Sequence, residues 1–297
     1  MLWSTTGFVQ MRHSRPEIYF ALVAGATALG ILIAAAKAPV RATETAAAET
    51  DAPRCVAPPD LARLQLPLKR TARHLAARKL TLVVALGSSS TAGVGASTPA
   101  AAYPRRLMDE LGQRFPTQPI MVLNRGVSGV RAVDMLANFD ERVAAEHPTL
   151  VIWQLGTNAV LQGYDHAKSD TVIREGIRKI KDIGADTVLI DPQYAPKVID
   201  HPQIEDMIGL ISSAAAQEQV DLFHRFALMR YWHEREGLPF QAFLSPDGLH
   251  MNDWAHSCLA KTLADAIADA AAPDRTPGKE SSQLDNAAAE GTVGQKR

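Results

Sequence analysis

LTLVVALGSSSTAGVG, residues 80–95, is the stretch whose reading decides the fold. Residues 80–85 are apolar or β-branched with hardly a polar break, the pattern of a strand buried on both faces of a parallel sheet. Gly87 ends the run. Three serines, a threonine and two further glycines follow, so the chain leaves the sheet through a tight polar turn. In open α/β sheets, ligands bind outside the carboxyl ends of the strands. A Ser/Gly cluster by itself is most often a turn or a helix cap, and this one gains weight only from what ends the later strands.

Working outward, strands and helices alternate. Residues 103–115 carry Leu107, Leu111 and Phe115 on one helical stripe, and a strand at 120–123 runs into NRGVSG, 124–129. A helix over 131–146 is predicted with Val133, Leu136 and Val143 inward, closed by His147-Pro148. The third strand, 149–155, ends in GTNA, 156–159; a helix over 169–183 with Ile173, Ile177 and Ile180 on one face stops at Gly184. The fourth strand, 187–190, opens into DPQYAP, 191–196. A helix over 203–217 (Ile204, Ile208, Ile211), a fifth strand at 220–223 and a helical piece at 227–234 follow. Then comes SPDGLH, 245–250, and a last helix capped by Asn252 that runs to about 270 with Cys258, Leu259, Leu263 and Ile267 inward. This alternation predicts an α/β domain with a parallel five-stranded sheet and crossover helices on its faces.

The flanks read differently. Residues 18–36, IYFALVAGATALGILIAAA, hold no charge and are long enough to cross a hydrocarbon core, with Arg12 and Arg15 before them. Small-residue sites at Ala34/Ala36 and Val40/Ala42 leave cleavage and retention as an anchor both open. Residues 1–42 are thus a signal peptide or membrane anchor, and everything downstream is expected to be exported, either periplasmic or secreted, or held at the inner membrane by 18–36. Residues 43–59 read as a flexible, solvated linker. From 60 to 79, Leu61, Leu64, Leu68 and Leu75 are spaced for a helix broken at Pro67, and residues 60–272 are read as one α/β domain. The polar, patternless 273–297 reads as a disordered tail.

Among 297 residues, 31 Lys and Arg face 32 Asp and Glu, so no basic surplus points to nucleic acid. Two cysteines exclude a disulfide scaffold and a cysteine-rich zinc site. Cys55 and Cys258 either pair with each other, as an exported location favours, or remain two buried thiols.

A serine hydroxyl is a poor nucleophile until a base within hydrogen-bond reach takes its proton and a third group orients that base. Asp247 and His250 stand three apart around Gly248, so one tight turn brings the carboxylate to the ring nitrogen facing away from the serine. Asp253 and His256 repeat the spacing, but inside the final helix, where such a pair is more often a surface contact. Attack on an ester carbonyl creates an oxyanion that needs preorganised donors. Gly129 offers a backbone N–H with no Cβ to obstruct approach, and Asn158 a side-chain amide, each just past a strand end.

In this order the residues resemble the SGNH hydrolases of the GDSL esterase and lipase superfamily. GSSST (87–91), the glycine of NRGVSG, the G-x-N of GTN and DGLH as the D-x-x-H block match its signature, over about 80–270. The resemblance implies a flavodoxin-like three-layer α/β/α fold. It makes Ser89 the nucleophile and first oxyanion donor, Gly129 and Asn158 the other donors, His250 the base and Asp247 its partner, with no metal or organic cofactor. Ser89 is third in the motif, which leaves Ser88 and Ser90 as lesser candidates. Ser88 stands where the family usually has aspartate, and Ala159 where many members have aspartate after the asparagine, which leaves the reaction class intact and puts loop rigidity in doubt.

These readings describe an exported serine hydrolase of carboxylic esters; the rival is a non-catalytic envelope-binding module with a weakened site. Tyr164 and Tyr194, with Trp232, Phe240 and Phe243, lie in or near loops that rim the site and are candidate substrate-binding residues, although most aromatic residues simply pack. No long apolar insertion interrupts the blocks, which points to short O-acyl esters on a glycan or envelope polymer, or small esters. Lysophospholipid or acyl-thioester hydrolysis, and acyl transfer to an alcohol, share the same acyl-enzyme. Oligomeric state is not legible here.

Overall fold

The computed structural model describes residues 53–272. The apolar run at 18–36, most of the expected linker and the 273–297 tail lie outside the described residues.

Five strands, β1 (Thr81–Gly87), β2 (Ile120–Gly126), β3 (Leu150–Gln154), β4 (Asp186–Ile190) and β5 (Asp221–Phe223), form one parallel sheet in the order β2-β1-β3-β4-β5. This is the flavodoxin-like strand order, which changes direction beside β1. Every residue of β1 and of β3 is buried, as the apolar runs require when helices cover both faces. Edge strand β2 is only half-buried.

The helices are α1 (Lys69–Ala76), α2 (Ser89–Ala92), α3 (Tyr103–Arg114), α4 (Ala132–Ala137), α5 (Phe139–Arg142), α6 (Thr157–Gln162), α7 (His166–Asp182), α8 (Pro196–Ile199), α9 (Ile204–Gln217), α10 (Arg225–Glu234), α11 (Phe240–Phe243) and α12 (Asp253–Ala270). Helix α3 packs on α12 in one outer layer, while α4, α7 and α9 build the other, giving three layers. Asn252 caps α12 by accepting from the Ala255 N–H at 3.1 Å. Helix α1 has no side-chain cap of its own. Its first-turn N–H groups, Arg70 and Thr71, donate instead to Asp186 at the start of β4, at 3.2 and 2.7 Å.

Four segments depart from the sequence expectation. Residues 60–68, expected as the first half of a helix broken at Pro67, form turns and irregular chain, and the helix begins only at Lys69. The single helix over 131–146 is broken at Asn138, whose φ of −118° leaves the helical region, and its buried face is Met135, Phe139 and Val143. Val133, expected inward, is 48% exposed. A spacing of four fits this stripe as well as the predicted one, and the Trp153 indole decides it by donating to Met135 Sδ at 3.1 Å. Next, α6 and the first turn of α7, capped by Asp165, occupy part of what reads as loop between 157 and 168. Finally, residues 53–59 are no solvated linker. The indoles of Trp254 and Trp232 donate to the carbonyls of Pro53 (2.6 Å) and Val56 (2.8 Å), because a buried indole N–H needs an acceptor. Cys55 is disulfide-bonded to Cys258 of α12 with 5.5 Å between Cα atoms. A link closing a loop this long stabilises by at most about 5 kcal/mol in the chain-entropy account.

Candidate active site

Strand β1 delivers the serine turn to the sheet's carboxyl edge, between the loops that follow β2 and β3. Gly87 and Gly126 stand opposite each other in register. A Cβ on Gly126 would lie 2.1 Å from the Ala92 nitrogen, and one on Gly87 2.1 Å from Thr91 Oγ1, so α2 seats on the sheet only with glycine at both places. Beneath it, Gln154 Oε1 accepts from the Ser88 N–H (3.0 Å), the Ser88 hydroxyl (3.1 Å) and the Thr91 hydroxyl (3.3 Å). A glutamine on the neighbouring strand thus braces the turn in which the usual aspartate is replaced by Ser88. Sequence reasoning missed Gln154, which reads as one more residue of a buried strand.

Ser88 and Ser90 are buried, and Ser89 keeps partial exposure. Its Oγ lies 2.8 Å from His250 Nε2, and His250 Nδ1 lies 2.5 Å from Asp247 Oδ2. Asp247 Oδ1 accepts from the Ser245 hydroxyl (2.7 Å) and from the N–H groups of Leu249 (2.9 Å) and His250 (3.0 Å). Burial opposes the charge on Asp247, but the bonds from His250, Leu249 and Ser245 outweigh it and hold the carboxyl well below its usual range. An ionised Asp247 only accepts, so the proton on His250 sits at Nδ1 and Nε2 is free to accept from Ser89.

The loops flanking β1 carry the remaining expected donors. Gly129 has φ +81°, a region favouring glycine, and a Cβ there would meet nothing within 4 Å. Among the described residues neither its N–H nor that of Ser89, at the start of α2, has an acceptor. Asn158 Nδ2 uses one hydrogen on the Val130 carbonyl (2.8 Å) and retains a second. Gln162 Nε2 donates to the Gly129 carbonyl at 3.0 Å, so two amides of α6 stitch the glycine turn to the asparagine turn.

The other sequence candidates lie off the line from Ser89 through His250 to Asp247, with Tyr164 in the wall of a cavity beside Ala159. His256 is buried and its Nδ1 accepts from the Tyr103 N–H at 3.2 Å, while Asp253 turns away to Ser97, accepting from its N–H at 2.7 Å. Burial pushes the His256 ring down to about 4 and keeps it neutral. Both are therefore scaffold, but they do not form the surface pair their spacing suggested: His256 is buried and Asp253 stays at the surface on Ser97. Tyr194 lies edge-on to Phe226 (5.1 Å between centroids) and donates to Glu234 at 3.0 Å; the Tyr164 hydroxyl donates to the Gln203 carbonyl at 3.3 Å. Trp232 and Phe243 are buried against each other in the core.

A parallel sheet in this order, carrying these loops at its carboxyl edge, defines the class: an SGNH-type hydrolase, a carboxylic ester hydrolase. The chain belongs to the Non-GDSL lipase-like family, whose family model matches residues 54–273. Esterase TesA of Pseudomonas aeruginosa is 30% identical over 182 residues, 59% of this chain and 81% of that protein. Among solved structures, TesA aligns at a TM-score of 0.54 and 23% identity, covering 64% of this chain and 99% of that one. The acetyl xylan esterase AlAXEase aligns at 0.54 and 20% identity (63% and 99%). A two-domain esterase active on acetylated mannans aligns at 0.59 and 15% identity (74% and 57%).

Proposed function

We propose that the chain is an exported serine esterase in which Ser89 attacks the carbonyl of a short O-acyl ester. The observation that carries this reading is the unbroken hydrogen-bonded line from Ser89 Oγ through His250 to Asp247. His250 Nε2 takes the hydroxyl proton as the Oγ–carbon bond forms, and the imidazolium is stabilised by Asp247. The N–H groups of Ser89 and Gly129 and the free hydrogen of Asn158 receive the oxyanion. Collapse expels the alcohol, which takes the proton from His250. Water, deprotonated by the same nitrogen, then releases the acid and restores Ser89. Acyl transfer differs only in that an alcohol replaces this water. Asn158→Ala is expected to lower kcat on p-nitrophenyl acetate by about 10²–10³-fold with KM little changed; an unchanged kcat would remove Asn158 from the site.

Export is supported by the uncharged 18–36 run and by the Cys55–Cys258 disulfide, which suits an oxidising compartment outside the inner membrane. An acyl group borne by an envelope or plant-type glycan fits the structural neighbours named for acetylated xylan and mannan.

One observation favours a second reading, a longer acyl chain as in a lysophospholipid or thioester. A cavity of 690 Å³ lies behind the asparagine turn, with Ala132, Val133, Leu155, Ala159, Ile173 and Met207 in its wall. Alanine at 159 adds no charge to a wall that already carries Arg131, Asp165 and Lys168, whereas aspartate would place a carboxylate among its apolar members. Rates on p-nitrophenyl esters from acetate to dodecanoate, beside acetate release from acetylated xylan, separate the two. The short-acyl reading predicts rates that fall beyond butanoate in both wild type and Ala159→Asp. A wild-type maximum at octanoate or longer that Ala159→Asp shifts back to acetate would select the second.

A further inference from the structure

The turn that bears the base has few ties to the body of the protein. Residues 245–250 bond mostly among themselves: Ser245 N–H to the His250 carbonyl (2.8 Å), Gly248 N–H to the Ser245 carbonyl (3.1 Å), and the four bonds that Asp247 accepts. Among the described residues, two hydrogen bonds leave this turn. One joins His250 to Ser89, and the other is donated by Gln193 Nε2 to the Leu249 carbonyl at 3.3 Å.

Gln193 comes from the 191–196 loop after β4 and is buried. Its Oε1 accepts from the Thr157 hydroxyl at 2.8 Å and from Arg225 Nη2 at 3.0 Å. Thr157 immediately precedes Asn158, and Leu249 immediately precedes His250. The orientation of the amide is dictated by chemistry, because a guanidinium only donates and so claims the oxygen, leaving the nitrogen for Leu249. Arg225 is itself fully buried and fixed by its Nε donating to the Asp191 carbonyl at 3.0 Å. Burial pulls the guanidinium down to about 10, still protonated at physiological pH. Only a side chain that accepts twice and donates once satisfies all three partners. Glutamate accepts without donating, and leucine does neither.

We infer that Gln193, oriented by Arg225, is a positioning residue that sets the distance between the His250 turn and the Asn158 turn across Ser89. It touches no reacting atom. By anchoring the residue before the base and the residue before the oxyanion amide to one buried point, it fixes the spacing within which Ser89 Oγ meets Nε2. The inference rests on the triad proposed above.

The test compares wild type with Gln193→Leu, which removes all three bonds, and Gln193→Glu, which keeps the two accepted bonds and loses the donated one. Labelling rate with a fluorophosphonate, kcat and KM on p-nitrophenyl acetate, and thermal midpoint are measured together. Both variants are expected to lose about tenfold to a hundredfold in kcat and in labelling rate, with KM within about twofold of wild type, as small misplacements of a catalytic group do. Gln193→Glu, still paired with Arg225, keeps the midpoint near wild type and remains informative if the leucine variant unfolds. A folded Gln193→Glu that labels and turns over at the wild-type rate overturns the inference, as does a change confined to the midpoint or to KM. Failure of the underlying triad looks different: Ser89→Ala would then still label, whatever Gln193 does.

Discussion

Ser89→Ala is expected to abolish fluorophosphonate labelling and to lower kcat on p-nitrophenyl acetate by on the order of 10⁴–10⁶-fold, the cost of losing a nucleophile that acts as a unit with its base. The fold should survive, because Ser89 contributes no packing to the core and the turn is held by Gln154 through Ser88 and Thr91. Neighbouring serines provide the internal control. Ser90→Ala should keep label and most activity, since its side chain is buried away from the imidazole. Ser88→Ala forfeits one of three bonds to Gln154, worth about 1 kcal/mol of stability, and should leave labelling in place. Activity surviving in Ser89→Ala but lost in Ser88→Ala or Ser90→Ala would move the nucleophile.

The second large effect separates two histidines that share a sequence spacing. His250→Ala should lose turnover on the same scale as Ser89→Ala, because among the described residues His250 is the side chain hydrogen-bonded to Oγ. His256→Ala should retain labelling and kcat while losing stability, by about 1–3 kcal/mol, since it leaves the buried Tyr103 N–H without its acceptor. Thermal melts beside active-site titration check both. A His256→Ala protein that is folded but inert would contradict the assignment, and so would a His250→Ala protein that still titrates.

Much of this site was legible in the sequence because its parts are punctuation. Gly87, the glycine of 124–129, the asparagine of 156–159 and the aspartate and histidine of 245–250 each stand where an apolar run stops, and the chain order survives into space because parallel strands end at one edge. What was not legible lies under that edge. Gln154, Gln193 and Arg225 sit inside apolar or loop contexts with no spacing that marks them, and their partners, from Ser88 to Leu249, are remote in the chain. Helix faces were ambiguous wherever two stripes four apart were both apolar, as in 131–146, where the Trp153 indole chose Met135. The residues around Cys55 read as linker because prolines and alanines carry no periodicity, whereas the tryptophan donors, the disulfide and core packing of Cys55 and Ala57 tie them down. The spacing of Asp253 and His256 matched that of Asp247 and His250; the difference is that Asp247 faces His250 while Asp253 faces Ser97 and His256 is buried, none of which spacing encodes.

One hydroxyl, made reactive by one imidazole, is the claim on which the rest depends. Peptide mass mapping of the purified protein after stoichiometric reaction with a fluorophosphonate tests it most directly. The account predicts a single phosphonyl adduct on Ser89, formed at a rate that collapses in His250→Ala and persists in His256→Ala. An adduct on any other residue, or no adduct in a folded protein that still hydrolyses p-nitrophenyl acetate, would contradict it.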